Sequence, residues 1–232
     1  SSDANGALNR FRIGTITTES GAVFGVAYSA PDCVWGTKMA AGPPSNPYRC
    51  FPVYWTPPGA SQILDYFHKY VVTSVTIADN VGGNPTQATS YTYPTDPAFW
   101  HYDESELTPP SKKTWGQWRG YEQMSVVKGA SGSTQSREVV KYFRGMNGDK
   151  LPSGTRSKSY VVNGTSYPDE NWRAGTAWES VVYNGVSGPV VTDTLVEPWQ
   201  KGPTATRTRN GVTTSAYATA PLRPVAREAM LA

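Results

Sequence analysis

The chain has 232 residues, 17% of them charged and 12% aromatic, and its formal net charge is +3. With 22 glycines and 19 prolines, this composition is typical of a turn-rich β-protein, and it is too rich in aromatic side chains for a disordered chain. No basic cluster exceeds the pair Lys112 and Lys113, and no apolar run is long enough to span a bilayer, so neither nucleic acid nor a membrane span is expected.

The first predicted element is a hairpin. Together, this hairpin and the cysteine loop after it occupy residues 10–60. Positions alternate in character from Ile13 to Thr17, Gly21 favours a turn, and an extended run covers residues 23–28. A period of two is typical of a half-buried strand. We interpret the whole of residues 1–232 as a single β-rich module that this segment begins.

The only two cysteines, Cys33 and Cys50, enclose a loop rich in Gly, Pro and Asn. A disulfide between them would constrain this loop and stabilise the fold by about 3 kcal/mol in the chain-entropy model. An even cysteine count around one irregular loop favours a secreted, extracellular protein. The alternative is two unpaired buried thiols. His68 and His101 lack zinc-ligand spacing, so no metal and no cofactor are expected.

A short helix is predicted in the segment SQILDYFHKY. Its larger side chains, at Ile63, Tyr66, Phe67 and Tyr70, recur at intervals of three and one, which fits one face of a helical turn.

A series of hairpins is predicted for residues 68–200, with a last hairpin and tail at 201–232. Short Gly-bearing turns between alternating strands are strong hairpin signals. The turns lie at Gly82-Gly83, at 129–133, at 184–188 and at Asn210-Gly211. We therefore predict an all-β fold with little helix, in which consecutive antiparallel β-hairpins pair edge to edge in one extended, curved sheet.

Two segments in this series carry a resemblance to a known family. SYTYPTD, with Tyr91, Tyr93 and Asp96, and KYFRGMNGDKLPSG, with Tyr142 and Asp149, are similar to the strand-pair unit of the RHS-repeat (YD-repeat) proteins of secreting actinobacteria. That unit has a Tyr-x-Tyr-Asp core followed by a Gly-bearing turn. The similarity extends over most of residues 10 to 200.

The resemblance implies a structural or interaction module and not an enzyme. Proteins of this family wind hairpins into a β-shell that encloses or presents a C-terminal cargo, often a toxin. The chain is then expected to be part of a large protein at the bacterial cell surface, and its partners are the remainder of the parent shell or the cargo.

An uncharacterised secreted hydrolase is a third interpretation, and its best candidate residues lie in WHYDESE. His101, Asp103, Glu104 and Glu106 fall within six residues, and such groups can bind calcium or act as acid and base. We prefer a solvated loop in which His101 stacks on aromatic neighbours. No catalytic residue is assigned, and GMNGDK (145–150) is interpreted as a tight turn.

Extracellular glycan binding is the alternative function. Its candidate residues are aromatic, since sugars stack on Trp and Tyr faces, although the same side chains are also typical of a sheet core. The candidates are Trp100, Tyr102, Trp115, Trp118 and Tyr121.

Open sheet edges predict self-association unless something covers them. Prolines expected just beyond strands are plausible blockers; they are Pro94, Pro97, Pro198, Pro203 and Pro221. The sequon Asn163–Thr165 is interpreted as a further hairpin turn.

Overall fold

The fold is all-β, as predicted. The computed structural model describes residues 11–34, 46–93, 100–130, 132–209, 211–221 and 224–228. Within them, helical structure is limited to two 3₁₀ turns, Pro110–Lys112 and Asn171–Arg173, and seventeen β-strands form the rest of the regular structure.

Nine strands pair in one antiparallel sheet. In order across the sheet they are β1 (Thr15–Thr17), β2 (Ala22–Tyr28), β5 (Val72–Asp79), β6 (Gln87–Thr92), β9 (Gln123–Lys128), β10 (Ser136–Tyr142), β13 (Ala177–Tyr183), β14 (Val190–Leu195) and β17 (Val225–Glu228).

The remaining eight strands form four separate two-stranded ribbons. They are β3 (Cys50–Trp55) with β4 (Ile63–His68), β7 (Trp100–His101) with β8 (Gln117–Trp118), β11 (Ser159–Val162) with β12 (Thr165–Pro168), and β15 (Pro198–Arg209) with β16 (Val212–Pro221).

The chain repeats one structural unit four times. Two strands of the sheet are joined by a short turn, and a ribbon follows before the next strand of the sheet. Because neighbouring strands of the sheet are antiparallel, the four short turns lie at one end of the sheet and all four ribbons leave from the other. We call these the turn end and the ribbon end.

Glycine is required in the short turns. Gly83, between β5 and β6, has φ of 71°, in the left-handed region that favours glycine. Gly129, between β9 and β10, has φ of 110°, and a Cβ there would lie 2.5 Å from the carbonyl oxygen of Thr134. The turns at both positions were predicted from these glycines.

The helix predicted in SQILDYFHKY is wrong, because residues Ile63–His68 form strand β4. This strand pairs with β3 from Cys50↔His68 to Trp55↔Ile63. The aromatic residues Tyr66 and Phe67 suit a strand as well as a helix, and the pairing with β3, which the local spacing does not reveal, decides between them.

The last predicted hairpin forms, but it does not join the sheet. Strands β15 and β16 flank Gly211 and, among the described residues, pair only with each other, while β14 pairs with β17 from the C-terminal tail. The edge of β14 is thus occupied by β17, and the hairpin becomes a ribbon. Asn210 lies outside the described residues, as does Asp96 of the SYTYPTD segment.

Five prolines were considered as edge blockers. The three that the structure describes do not lie at the edges of the nine-stranded sheet. Pro198 and Pro221 pair with each other at the base of the β15–β16 ribbon, and Pro203 lies in its irregular stretch between Lys201 and Ala205. Pro94 and Pro97 fall outside the described residues.

The buried side chains concentrate at the ribbon end. One cluster joins the β11–β12 ribbon to the sheet, and its members are Phe143, Tyr160, Val162, Trp178 and Leu195. Strands nearer the N-terminus, such as β2 and β5, carry mostly half-buried side chains. The core therefore lies beside the ribbons and not across the whole sheet.

The predicted disulfide is confirmed. Cys33 and Cys50 are bonded, with 6.1 Å between their Cα atoms. Beside it, the Asp32 carboxylate accepts hydrogen bonds from Arg49 Nε at 3.0 Å and lies 2.9 Å from His68 Nε2. Burial raises the pKa of Asp32, but the hydrogen bonds from Arg49 and His68 outweigh it, so the net shift is downward.

Candidate functional site

Three of the five predicted glycan-binding aromatics pack against one another. Trp100 is 2% exposed, and its Nε1 donates to the carbonyl oxygen of Tyr48 at 2.8 Å. Trp118 lies edge-on to Trp100, with 4.9 Å between ring centroids, and 5.8 Å from Tyr121. Phe51 stacks on the other side of Trp100 at 4.6 Å. The face of Trp100 is therefore covered by protein.

The other two predicted aromatics form a separate, half-buried pair. Tyr102 and Trp115 meet at 4.9 Å between centroids. Lys150 joins them, because its Nζ lies 4.4 Å from the Tyr102 ring and its carbonyl oxygen accepts from Trp115 Nε1 at 2.7 Å. Both residues of this pair are partly exposed, and they are the two of the five predicted residues that lie outside the Trp100 cluster.

The acidic residues of WHYDESE point to different partners and do not form one site. Asp103 Oδ1 accepts from the N–H of Ser105 at 2.8 Å. Glu104 accepts from Asn171 Nδ2 at 2.9 Å, and Glu106 pairs with Arg207 at 3.1 Å. Asp103 thus fixes the loop internally, whereas Glu104 and Glu106 fix it to other parts of the ribbon end.

His101 is not in a solvated loop, contrary to the preferred interpretation. It is 1% exposed in strand β7, and its Nδ1 lies 2.7 Å from the carbonyl oxygen of Tyr102. Its Nε2 lies 3.6 Å from Oδ1 of Asp149, which is also fully buried. The same Asp149 oxygen accepts from the N–H of Tyr102 at 2.9 Å, so the pair holds β7 against the turn at residues 145–150.

A second buried carboxylate, Asp169, organises the turn after β10. It accepts from three consecutive backbone N–H groups, those of Arg144, Gly145 and Met146, at 2.7–2.9 Å. Asp169 is 0% exposed. Residues 145–150 form a turn, as predicted. Asp169 holds the first residues of this turn, and Asp149, within the turn, bonds to Tyr102.

Local sequence patterns do not mark these two carboxylates as central. Asp149 was considered as part of a tight turn and of the repeat-like segment KYFRGMNGDKLPSG, and Asp169 was not considered. A buried Asp rarely lacks a partner, so burial would have singled out Asp169. Its burial depends on the packing of the β11–β12 ribbon, and a local sequence pattern does not show that packing.

The buried Arg144 and the half-buried Lys158 add two cations to this polar core. Arg144, 2% exposed, donates from Nη2 to Glu122 at 3.1 Å, and Lys158 Nζ lies at the same distance from that carboxylate. Burial raises the pKa of the neighbouring Tyr160 above its ordinary value, so its hydroxyl stays protonated. Opposite charges are thus paired within a network, and this is the arrangement that buried charges require.

The outermost strands of the sheet, β1 and β17, are paired on one side only within the described residues. Ile16 of β1 is 48% exposed and Val225 of β17 is 36% exposed. Edge strands present unpaired N–H and C=O groups that can pair with another chain. Within the part of the chain that the structure describes, both edges of the sheet are therefore open to further strands.

A polar clasp ties the last edge strand to a ribbon. Asn163, at the turn between β11 and β12, donates to Glu197 at 3.0 Å and accepts from Arg227 of β17 at 3.1 Å. Glu197 also accepts from the hydroxyl of Tyr167 at 2.8 Å. The sequon residue Asn163 is thus part of a hairpin turn, as predicted, and its side chain is engaged.

The described ranges contain no group of three or more His, Cys, Asp or Glu side chains arranged to hold a metal ion. Over the same ranges, no helix has the length and apolar character needed to cross a membrane.

No protein-family model, curated protein or solved structure matches the chain. Its function therefore has to be inferred from its own geometry.

Proposed function

We propose that the chain is a structural and interaction module of a secreted, RHS-repeat-type protein at the bacterial cell surface. Its sheet forms part of a curved β-shell that encloses or presents a cargo such as a C-terminal toxin, and the chain itself is not an enzyme. The partners of the sheet are the neighbouring repeats of the parent shell.

The observation that carries this proposal is the open nine-stranded sheet. Each of the four repeated units adds two strands to it. Within the described residues, β1 and β17 are its two edge strands, and each is unpaired on its outer side. Adding another unit of the same kind needs no new type of contact. This is the property that a shell built from successive repeats requires.

The two faces of the sheet differ in its N-terminal half, which also supports a shell. Across β2 and β5, Phe24 is opposite Ile77, and across β6 and β9, Tyr91 is opposite Val126 on the same face. The other face places Ser74 opposite Ser90, with threonines on either side. A wall that separates an interior from the exterior is expected to have one more apolar face.

The disulfide favours an extracytoplasmic location, because disulfides persist in oxidising compartments and are rare in the cytosol. The turn in the segment KYFRGMNGDKLPSG is held by two buried carboxylates, Asp149 and Asp169, which anchor the third unit at the ribbon end.

The natural product tests this proposal. We expect that the protein captured from the culture medium of its source with an antibody to this chain is a polypeptide much longer than 232 residues, and that it forms hollow particles in electron micrographs. Capture of a monomer of 25.2 kDa would contradict the shell.

Glycan binding is a second candidate function, and the half-buried pair of Tyr102 and Trp115 is the observation that favours it. Saturable quenching of Trp fluorescence by a glycan should be lost in Trp115→Ala. It should be retained in Tyr121→Phe, which keeps the packing of the Trp100 cluster. Loss of quenching in both variants would point to unfolding and not to a sugar site.

A further inference from the structure

A groove of about 560 Å³ lies along the outer side of strand β3. One wall is β3 itself, from Pro52 to Tyr54, and the other includes Leu107, Pro109 and Lys112. Its volume falls in the range of ligand-binding sites in proteins. It belongs to the first two ribbons and is separate from the edges of the nine-stranded sheet.

The hydrogen bonds of β3 show which of its backbone groups face away from β4. In an antiparallel strand the N–H and C=O of one residue point to the same side, and the side alternates along the chain. The carbonyl oxygen of Cys50 accepts from Asn46, and that of Pro52 accepts from the hydroxyl of Thr114 at 3.0 Å. The carbonyl oxygen of Arg49 accepts instead from Lys69 N, next to β4.

This alternation places the N–H and C=O of Tyr54 on the outer side of β3, towards the groove. The described part of the chain provides no partner for either group. Pro52 fits the same pattern, since a proline is tolerated in a strand where its missing N–H would point away from the ladder. As far as the structure describes the chain, Tyr54 is therefore an unused pairing position on a strand edge.

The groove also contains a cation that has no acidic partner among the described residues. Lys112 Nζ lies 4.4 Å from the centroid of the Tyr54 ring and makes no ion pair within the described ranges. The carboxylate that lines the groove, Asp103, is already engaged through Oδ1 by Ser105 N and Gln117 Nε2. Lys112 is thus free to pair with a carboxylate from outside.

We propose that this groove binds an extended, acidic peptide segment by strand addition to β3. One peptide residue exchanges two main-chain hydrogen bonds with Tyr54, as in an antiparallel pair. An Asp or Glu side chain of the peptide pairs with Lys112. Leu107, which is 81% exposed, contacts an apolar peptide residue next to this Asp or Glu. Main-chain bonds supply affinity and side-chain contacts supply specificity in this mode of recognition.

Fluorescence anisotropy with a labelled heptapeptide, Ser-Thr-Val-Glu-Val-Thr-Ser, tests the proposal on the full chain. We expect saturable binding that Lys112→Glu weakens about tenfold, and a peptide with Lys in place of Glu should recover affinity for that variant. Lys113→Glu is the matched control, because it makes the same charge change outside the groove. It should alter affinity less than about twofold.

An N-methyl scan of the peptide tests the main-chain bonds without changing the protein. Methylation of the peptide residue that pairs with Tyr54 should abolish binding. Methylation of the residue on either side of it should leave binding unchanged. The proposal is overturned by a flat scan, by equal effects of Lys112→Glu and Lys113→Glu, or by no saturation. A flat scan with competition by an oligosaccharide of uronic acids would assign the groove to carbohydrate. None of these results bears on the sheet and its shell role.

Discussion

Asp169 shows how much of this fold depends on single buried side chains. Its carboxylate replaces the strand partners that the backbone of residues 144–146 lacks after β10 ends. Buried N–H groups that lose their acceptor cost the full desolvation of the group, which is about 1–3 kcal/mol each. A side chain outside regular structure thus determines the path of the chain at the ribbon end.

Replacing Asp169 by Asn should therefore destabilise the protein by about 3 kcal/mol, because one acceptor oxygen becomes a donor that faces an N–H group. Urea denaturation followed by Trp fluorescence measures this change. Glu19→Gln is the control, since Glu19 is exposed in the β1–β2 turn, and it should change stability by less than about 0.5 kcal/mol. Equal stability of the two variants would contradict the role of Asp169.

Gly145 provides a second test in the same loop. Its φ is 70°, and a Cβ there would lie 2.9 Å from Arg119 Nη1 and 3.0 Å from the Cα of Asn171. Gly154 has a similar φ of 75° but no atom within 4 Å of a Cβ. Gly154→Ala should cost about 1 kcal/mol from backbone strain alone. Gly145→Ala should cost about 2 kcal/mol more from overlap, measured in the same denaturation experiment.

At the scale of the element, the short turns of the sheet depend on local side-chain bonds. The β5–β6 turn is fixed by Asp79, whose Oδ1 accepts from Gly82 N at 2.7 Å and Val81 N at 2.9 Å. These bonds, with one from Asn84, lower the pKa of Asp79 to about 2 from 3.8.

Because the pKa is lowered in the folded state, the bonds favour the turn above pH 3.8 and are lost as the pH falls through about 2. We expect the Asp79 carboxyl carbon and the amide of Gly82 to titrate together in NMR spectra with a midpoint near 2. In Asp79→Asn this transition should vanish from the Gly82 amide. A midpoint near 3.8 would show that the turn bonds are weak in solution.

The disulfide fixes the approach to the first ribbon. It closes a loop with a sequence separation of 17, for which the chain-entropy model gives about 3 kcal/mol. Reduction, or the double variant Cys33→Ser and Cys50→Ser, should lower stability by about this amount in denaturant titrations. Reductant should have no effect on the double variant. An unchanged midpoint for the reduced native chain would rule out this contribution.

Several elements could be predicted from local signals alone. Gly83 and Gly129 mark their turns because no other residue tolerates those backbone angles cheaply, and the alternation beside them identifies the strands. Two other strands are different. Strand β4 of the first ribbon has the spacing of a helix, and β17 of the sheet has only four residues. Both depend on pairing with another strand, which spacing in the sequence does not encode.

The candidate site was predicted less well for the same reason. The five aromatics were identified as residues, but their separation into a packed cluster around Trp100 and a half-buried pair at Trp115 follows from tertiary contacts with Phe51 and Lys150. The edge of Tyr54 was invisible in the sequence, because it depends on the hydrogen-bond alternation of a strand that was not predicted.

At the scale of the whole molecule, the sheet is a row of antiparallel strands with its core at the ribbon end. The central strands are hydrogen-bonded on both sides and include the buried residues Ser125 and Val126, whereas β1 and β17 are bonded on one side within the described residues. Local stability should therefore fall from the centre of the sheet to its two edges.

Hydrogen exchange followed by mass spectrometry tests this gradient. Peptides from β9 and β10 should exchange slowest and those from β1 and β17 fastest in dilute protein. At high protein concentration the edge peptides should gain protection if the edges pair with a second copy, while a turn peptide such as 80–84 serves as the control. Strong edge protection at every concentration would mean that the edges are already covered.

The row of short turns makes the molecule a candidate for displaying foreign loops. Neighbouring turns are two strands apart, so they are spaced by about 10 Å, and the core and the buried carboxylates lie at the opposite end. Grafted epitopes or affinity tags inserted between β5 and β6 or between β13 and β14 would stand side by side in a line, with little effect on folding.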